Sequence, residues 1–281
     1  MFLKNRIAII CGPTATGKTD LAIKAALSSR YEIINFDSLL FYKELNIGTA
    51  KPSLSEMASV PHHLINICSI QKPMNAADFY QMALPLIQKI HLAGKVPLLV
   101  GGSGFYLQTI LQGMYPSKTT PSEISNKSES LYTQEGIAPF QEILQTADPI
   151  LFEKYHANDH YRIRRAVEHF WTTGKPFSDS LNEWKESQKS NQNNWETISF
   201  YLDIPKSDHL PIIKRRTSRM LESGLIEEVQ NLLAEGFSGD EKPMQSIGYK
   251  ETIYHIKNNI QDLNQLEENI IISTRQLAKA Q

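Results

Sequence analysis

Cysteine is scarce in this chain, which has only Cys11 and Cys68 among its 281 residues. The two lie far apart in the sequence and lack the close spacing of metal-binding or redox pairs. This scarcity excludes a disulfide framework and a cysteine-based zinc module. We expect both thiols to be reduced and to pack as small apolar side chains.

Long apolar runs, a leader and an excess of charge of one sign are also lacking. No segment approaches the ~18 consecutive apolar residues of a membrane span, and the N-terminus leads directly into a predicted strand rather than a signal peptide. We therefore expect a cytoplasmic protein without membrane contact. The formal net charge is −1, so no overall basic bias marks a nucleic-acid-binding protein, although a locally positive face could still dock RNA.

One stretch fits the phosphate-binding spacing G-x-x-x-x-G-K-[ST] at every fixed position. It consists of Gly12, Pro13, Thr14, Ala15, Thr16, Gly17, Lys18 and Thr19. Residues 6–11 before it predict a buried strand, and residues 20–27 after it predict a helix. The loop amides, the helix N-terminus and Lys18 would hold a polyphosphate, and Thr19 offers its hydroxyl to Mg²⁺. The pattern predicts a phosphate site without specifying the phosphate compound.

Two further segments are expected at the same edge of a parallel sheet. The β-rich run 31–36 ends at Asp37, which is either a site carboxylate or the cap of the next helical turn. The apolar strand 97–100 ends in a second glycine-rich turn at 101–106, where Ser103 could donate a hydroxyl. Together with the first loop, these segments mark one rim of the sheet as a site.

Between the two glycine-rich turns, the sequence predicts a loop with a lysine at 48–52 and a short strand at 64–67. The dipeptide His62-His63 precedes that strand. Adjacent residues do not share a face of a helix or strand, so the pair is not expected to chelate a metal. Apolar residues at helical spacing predict a core helix over 76–92, with a kink or break at Pro85.

The composition changes in the middle of the chain. Residues 115–127 are rich in Pro, Ser, Thr, Lys and Asn and are interpreted as a linker. Helices are predicted after it at 139–147, 149–155 and 159–173, and a strand at 195–203. The predicted fold class is therefore α/β, a P-loop NTPase-like parallel sheet core flanked by helices at 1–115 and 195–281, with a mostly helical insertion domain at 116–194.

Two clusters of arginine are candidates for phosphate contacts. Arg162, Arg164 and Arg165 mix with aromatic residues, which suits an RNA backbone and splayed bases, but a solvated helix face fits the same pattern equally well. Arg216 lies on a predicted helix over 205–224. It could clamp a departing phosphate or simply belong to an exposed basic face.

Taken in order, these segments resemble the bacterial tRNA dimethylallyltransferases, also called tRNA isopentenyltransferases. The residues that carry the resemblance are Gly12 to Thr19, Asp37-Ser38 with Tyr42, Ile47 to Pro52, Val60 to Leu64, Val100 to Leu107, Asp159 with the three arginines after it, Thr173-Gly174, Met220 with Gly224-Leu225, Ile247 to Lys250, and Arg275 to Lys279.

The resemblance implies an enzyme that transfers a dimethylallyl group from dimethylallyl diphosphate to N6 of adenine 37 in the anticodon loop of tRNA and releases diphosphate. It assigns the diphosphate to residues 12–19 and Arg216, with Mg²⁺ at Thr19. Asp37, Thr19 and Arg216 would be the catalytic residues, with Asp37 accepting the proton of the adenine amino group.

The same resemblance implies contacts with tRNA. Asp37, Ser38, Ser103, Arg162, Arg164 and Arg165 would bind it. The insertion would grip the anticodon arm while the target base leaves its stack, and the protein is expected to act as a monomer.

The chain departs from the family pattern at two positions. Ala280 stands where a basic residue is usual before Gln281, and the family's aromatic, basic tail does not follow, so tRNA affinity is expected to be weaker. Leu40 stands where many members carry glutamine, which removes a candidate base contact.

Two other functions fit parts of the pattern. A P-loop, an acid after the second strand and an arginine-bearing helical insertion also describe an ATP-dependent small-molecule kinase. A nucleotide-switched RNA-binding module is the third possibility, although the guanine-specifying N-K-x-D sequence is missing and its nearest match is 126–129.

Overall fold

The structure is a computed structural model that describes residues 5–116, 119–188 and 195–281. The chain divides into two compact units, which we call the core unit, Met1–Gly113 with Asn193–Gln281, and the insertion unit, Met114–Gln192. The sequence predicts the corresponding divisions at 115/116 and 194/195.

The core unit contains a five-stranded parallel sheet. Its strands are β1 Arg6–Cys11, β2 Tyr31–Asn35, β3 His62–His63, β4 Val96–Val100 and β5 Glu196–Tyr201, in the order β3-β2-β4-β1-β5. Every adjacent pair is parallel. The carboxyl ends of β1, β2 and β4 therefore lie at one edge of the sheet, which confirms the predicted fold class.

Helices, numbered along the whole chain, cover the sheet and build the insertion. In the core unit they are α1 Lys18–Ala26, α2 Leu54–Ser59, α3 Ala76–Leu92, α4 Gly104–Gln112, α10 Lys206–Glu222, α11 Leu225–Ala234, α12 Tyr249–Lys257 and α13 Leu263–Ala280. In the insertion unit they are α5 Ser122–Glu135, α6 Ala138–Ala147, α7 Pro149–Lys154, α8 His160–Thr173 and α9 Phe177–Gln188. None of the helices in the described ranges has both the length and the apolar character needed to cross a membrane.

Side chains of β1 alternate between the two faces of the sheet, as a strand buried on both sides requires. Ile7 and Ile9 face the cluster that contains Phe79 of α3. Ala8 and Ile10 face the cluster that contains Ala22 of α1. The sheet is thus fixed from both faces, and the loops at its carboxyl edge start from a rigid base.

The segment after β3 is a loop, so the strand predicted at 64–67 is wrong. The strand consists of His62–His63 itself, paired with Ile33 and Ile34 of β2. Leu64 and Asn66 have φ values of 60° and 58°, in the left-handed region that interrupts a strand. Of the kink or break predicted at Pro85, the break does not occur, since α3 continues through this residue.

The predicted linker at 115–127 contains the start of α5, which begins at Ser122. Its polar sequence gives little sign of a helix. The helix is held by tertiary contacts, because Ser128 is fully buried and donates a 2.6 Å hydrogen bond to Glu168 of α8. The insertion unit has its own apolar core around Phe140 and Val167.

Candidate active site

The glycine-rich loop between β1 and α1 is shaped by close backbone packing. Gly12 has a φ of 141°, and a Cβ atom there would overlap with the carbonyl oxygen of Leu202. Gly17 has a φ of 80° and forms the N-cap of α1. Glycine is therefore required at both fixed glycine positions of the pattern. A side chain would find no space at position 12, and the positive φ disfavours other residues at positions 12 and 17.

Lys18 folds back over this loop. Its ammonium group donates to the carbonyl oxygens of Gly12 at 2.9 Å and Pro13 at 2.6 Å. Burial lowers its pKa to about 8, while the nearby Asp37 opposes that shift and Arg216 adds to it. The loop therefore carries a partly desolvated cation beside a carboxylate.

Two residues that the sequence did not single out for this site also contact the loop. The side-chain oxygen of Gln281 accepts a hydrogen bond from the amide of Thr14 at 2.7 Å, and its amide nitrogen donates to Gly102 at 3.2 Å. The Nε2 of His209 donates to the carbonyl of Thr14 at 2.8 Å. Their distance in sequence from the loop leaves no local signal by which spacing could identify them.

Asp37 follows β2, and its carboxylate caps the turn that comes next. Its Oδ1 accepts from the amide of Leu39 at 3.1 Å, which caps a turn rather than a regular helix. Buried Asn35 holds the Asp37 backbone through a 2.9 Å bond to its amide and a 3.0 Å bond to its carbonyl. Within the described residues, no hydrogen bond engages Oδ2, so one carboxylate oxygen is available for chemistry.

The second glycine-rich turn lies directly beside Asp37, as the shared sheet edge predicts. A Cβ atom on Gly101 would lie 2.8 Å from the amide nitrogen of Asp37. The hydroxyl of Ser103 accepts from the amide of Ser38 at 3.3 Å and lies 3.4 Å from the Ser38 hydroxyl.

Arg216 reaches the site from α10. Its Nη2 donates to the carbonyl of Thr49 at 3.3 Å. Burial lowers the pKa of its guanidinium and Asp37 opposes the shift, and a guanidinium stays charged under such conditions. The structure thus brings Lys18, Asp37 and Arg216 together from three elements.

A third cation, Lys51 of the predicted lysine-bearing loop, lines the larger cavity at the site with Lys18 and Arg216. Lys51 donates to the carbonyl of Tyr42 and to the side-chain oxygen of Asn66, both at 2.6 Å, and to that of Asn46 at 3.0 Å. Its pKa is lowered to about 8, chiefly by burial. The sequence predicts the loop that contains Lys51, but it predicts no function for this lysine.

Two cavities meet at this cluster. The larger, about 710 Å³, is lined by residues 14–20 of the loop together with Lys51 and Arg219. The smaller, about 330 Å³, is lined by Ser103, Ile247 and other residues of the α12 and α13 region. Both include Lys18, Asp37 and Arg216 in their walls. The carboxylate of Asp37 is therefore part of the wall of both cavities.

The three predicted arginines of α8 belong to the insertion unit and each has a partner there. Arg162 pairs with Asp159 and remains 64% exposed. Arg164 is only 19% exposed, pairs with Glu129 at 2.7 Å and stacks on the ring of Tyr132. Arg165 bonds Glu168 and Thr120 at 2.7 and 2.8 Å. Their contact with tRNA stays a prediction, and Arg162 is the one with most of its surface available.

These features define a parallel α/β protein with a glycine-rich loop, buried cations and a carboxylate at one sheet edge. The profile of the IPP transferase family matches residues 40–281, so the chain belongs to that family. The resemblance stated from the sequence is confirmed.

Curated relatives and solved structures agree with this assignment. The chain is 37% identical over 99% of its length to a protein of Geobacter sulfurreducens named tRNA dimethylallyltransferase, covering 88% of it. It is similar to the tRNA isopentenylpyrophosphate transferase of Bacillus halodurans, with 30% identity, a TM-score of 0.69 and coverage of 99% and 86% of the two chains. A eukaryotic dimethylallyltransferase acting on tRNA aligns with 28% identity and a TM-score of 0.85 over 99% of this chain and 69% of that one.

The lowered pKa of Lys18 leads to a prediction for anion binding. Inorganic diphosphate should bind more weakly as the pH rises through about 8, because the free protein then loses the ammonium charge. For each lysine that must be protonated to bind diphosphate, the affinity falls by up to ~10-fold per pH unit above the pKa of that lysine. Calorimetric titration between about pH 7 and pH 9.5 measures this slope. In Lys18→Arg the cation persists and the slope should be shallower; equal affinity at all pH values in the parent protein would contradict the prediction.

Proposed function

We propose that this protein is a tRNA dimethylallyltransferase, which transfers a dimethylallyl group from dimethylallyl diphosphate to N6 of adenine 37 in the anticodon loop of tRNA. The observation that carries the proposal is the meeting of two cavities at Lys18, Asp37 and Arg216, in a chain whose relatives bear that name. Both cavities share these two cations and the carboxylate, so a diphosphate bound in the larger cavity and an adenine bound in the smaller one would meet beside Asp37.

The diphosphate fits the larger cavity, where the loop 12–19 supplies amides and a helix N-terminus. When the C1–O bond of the prenyl donor breaks, negative charge grows on the leaving diphosphate. Lys18 and Arg216 would stabilise that charge from fixed positions, which is the electrostatic contribution that lowers a barrier most. Thr14 and Lys18 must first exchange bonds to the protein for bonds to the ligand. Arg216 can keep its bond to Thr49, because its guanidinium has further N–H donors for the ligand.

The residues present fit Mg²⁺ at this place. Thr19 offers a hard hydroxyl oxygen and lines a small cavity, and Mg²⁺ commonly takes one or two protein oxygens plus substrate phosphates. No cluster of three His, Cys, Asp or Glu side chains suited to a metal occurs among the described residues. Bound there, the ion would neutralise charge on the diphosphate.

Asp37 would act as the general base. In the transfer, the C1–O bond breaks, diphosphate leaves and the N6 amine forms the new C–N bond with C1. The amine must lose one proton to remain neutral. The free Oδ2 of Asp37 accepts that proton, while Oδ1 keeps the turn in place through Leu39. Ser38 and Ser103 lie beside Asp37, where their hydroxyl groups would orient the adenine.

One incubation tests the function. The protein is mixed with unmodified tRNA, Mg²⁺ and either dimethylallyl diphosphate or ATP, and the nucleosides are analysed by mass spectrometry. We expect N6-prenylated adenosine with the prenyl donor alone. Modification that requires ATP, ATP hydrolysis coupled to phosphorylation of a small molecule, or no modification of tRNA would overturn the proposal.

Asp37→Asn separates catalysis from capping. The amide oxygen of asparagine can still accept from Leu39, so the turn and tRNA binding should survive while proton acceptance is lost. We expect turnover to fall ~10²–10⁴-fold, with the melting temperature and the Kd for tRNA nearly unchanged. A variant with normal turnover would show that Asp37 only caps the turn.

Arg162→Ala tests the tRNA surface of the insertion unit. If the exposed guanidinium contacts a phosphate, the variant should bind tRNA more weakly, and the slope of log K against log salt should become shallower by roughly one unit or slightly less. The exposed cation Arg6 of the core unit, paired with Glu196, provides the control substitution Arg6→Ala. An unchanged slope in Arg162→Ala would contradict the prediction and would indicate that Arg162 belongs to a solvent-exposed helix face that does not contact tRNA.

A further inference from the structure

We infer that Glu228 and Tyr249, which lie outside the phosphate loop, are positioning residues for Arg216. The inference rests on the proposed function. They hold the segment 46–49, which we call the clamp loop, and the carbonyl of Thr49 at its end accepts the hydrogen bond from Arg216.

Glu228 of α11 binds the clamp loop through its backbone. Its carboxylate accepts from the amide of Ile47 at 2.9 and 3.1 Å, with the amides of Asn46 and Gly48 at 3.4 and 3.5 Å. Three consecutive amides around one anion form a nest, in which the hydrogen bonds are charge-assisted. Displacing the carboxylate would leave these donors without their acceptor.

Tyr249 holds the same carboxylate from the other side. Its hydroxyl donates to Glu228 at 2.5 Å, and its ring is fully buried. A Cβ atom on Gly48 would overlap with that ring, so the glycine is explained by close approach and not by an unusual φ. The clamp loop is thus pressed against α12 and tied to α11.

The clamp loop also lines both cavities. Asn46, Ile47 and Thr49 face the larger one, and Gly48 and Thr49 face the smaller one. A shift of the loop therefore moves the acceptor that aligns the Arg216 guanidinium. Misplacement of a reacting or stabilising group by about 1 Å can cost ~10²-fold in rate, so an indirect contact of this kind has a measurable effect.

A double-mutant cycle tests the link. Glu228→Ala should lower kcat for prenylation by ~10-fold or more, with KM for tRNA within ~2-fold of the parent. In an Arg216→Ala background the same change should cost less than ~2-fold, because a residue that acts through Arg216 has nothing further to lose. Glu227→Ala, an exposed neighbour on α11, is the matched control and should not alter kcat.

The conservative variant supplies a second readout. Glu228→Gln keeps an acceptor oxygen for the Ile47 amide and should recover most of the kcat lost in Glu228→Ala. Equal losses from Glu228→Ala in both backgrounds, or an unchanged kcat in the parent background, would overturn the positioning role. A parent protein that does not prenylate tRNA would instead defeat the proposed function, so the two failures are distinguishable.

Discussion

The desolvated ammonium of Lys18 is the constraint on which the site depends. A cation withdrawn from water must be compensated by nearby oxygens, since otherwise the ammonium would lose its proton or the side chain would stay exposed to solvent. The carbonyls of Gly12 and Pro13 and the carboxylate of Asp37 provide that compensation. The loop conformation and the approach of β2 stabilise the charge on Lys18, whereas the nearby charge of Arg216 opposes it. An anion bound between the two cations would compensate both charges.

Much of this arrangement was predictable because its signals are local. The spacing of Gly12, Gly17 and Lys18 specifies a loop, and the strand before it and the helix after it specify where that loop lies. Asp37 and Ser103 follow other strands of a parallel sheet, so topology alone brings them to the same edge. Because the carboxyl ends of parallel strands lie at one edge of a sheet, the position of these residues could be predicted without knowing their individual contacts.

The rest was not predictable because it depends on residues distant in sequence. Gln281 and Glu228 contact loops more than 170 positions away, and nothing in their neighbours indicates those contacts. Polar α5 is stabilised by the buried bond from Ser128 to Glu168, which overrides weak local propensity. The clamp loop shows the same limit: the sequence predicts only that Gly48 lies in a loop, whereas the structure shows that the Tyr249 ring leaves no space for a Cβ atom there.

The edge strand β5 has a consequence for how the chain assembles. It pairs with β1 from Arg6–Glu196 to Cys11–Tyr201, and the ion pair between Arg6 and Glu196 joins residues 190 positions apart. Closing so large a loop costs conformational entropy, but that cost grows only with the logarithm of loop length. An insertion unit that packs around its own core shortens the effective loop that the pairing of β5 with β1 must close, which lowers this entropy cost.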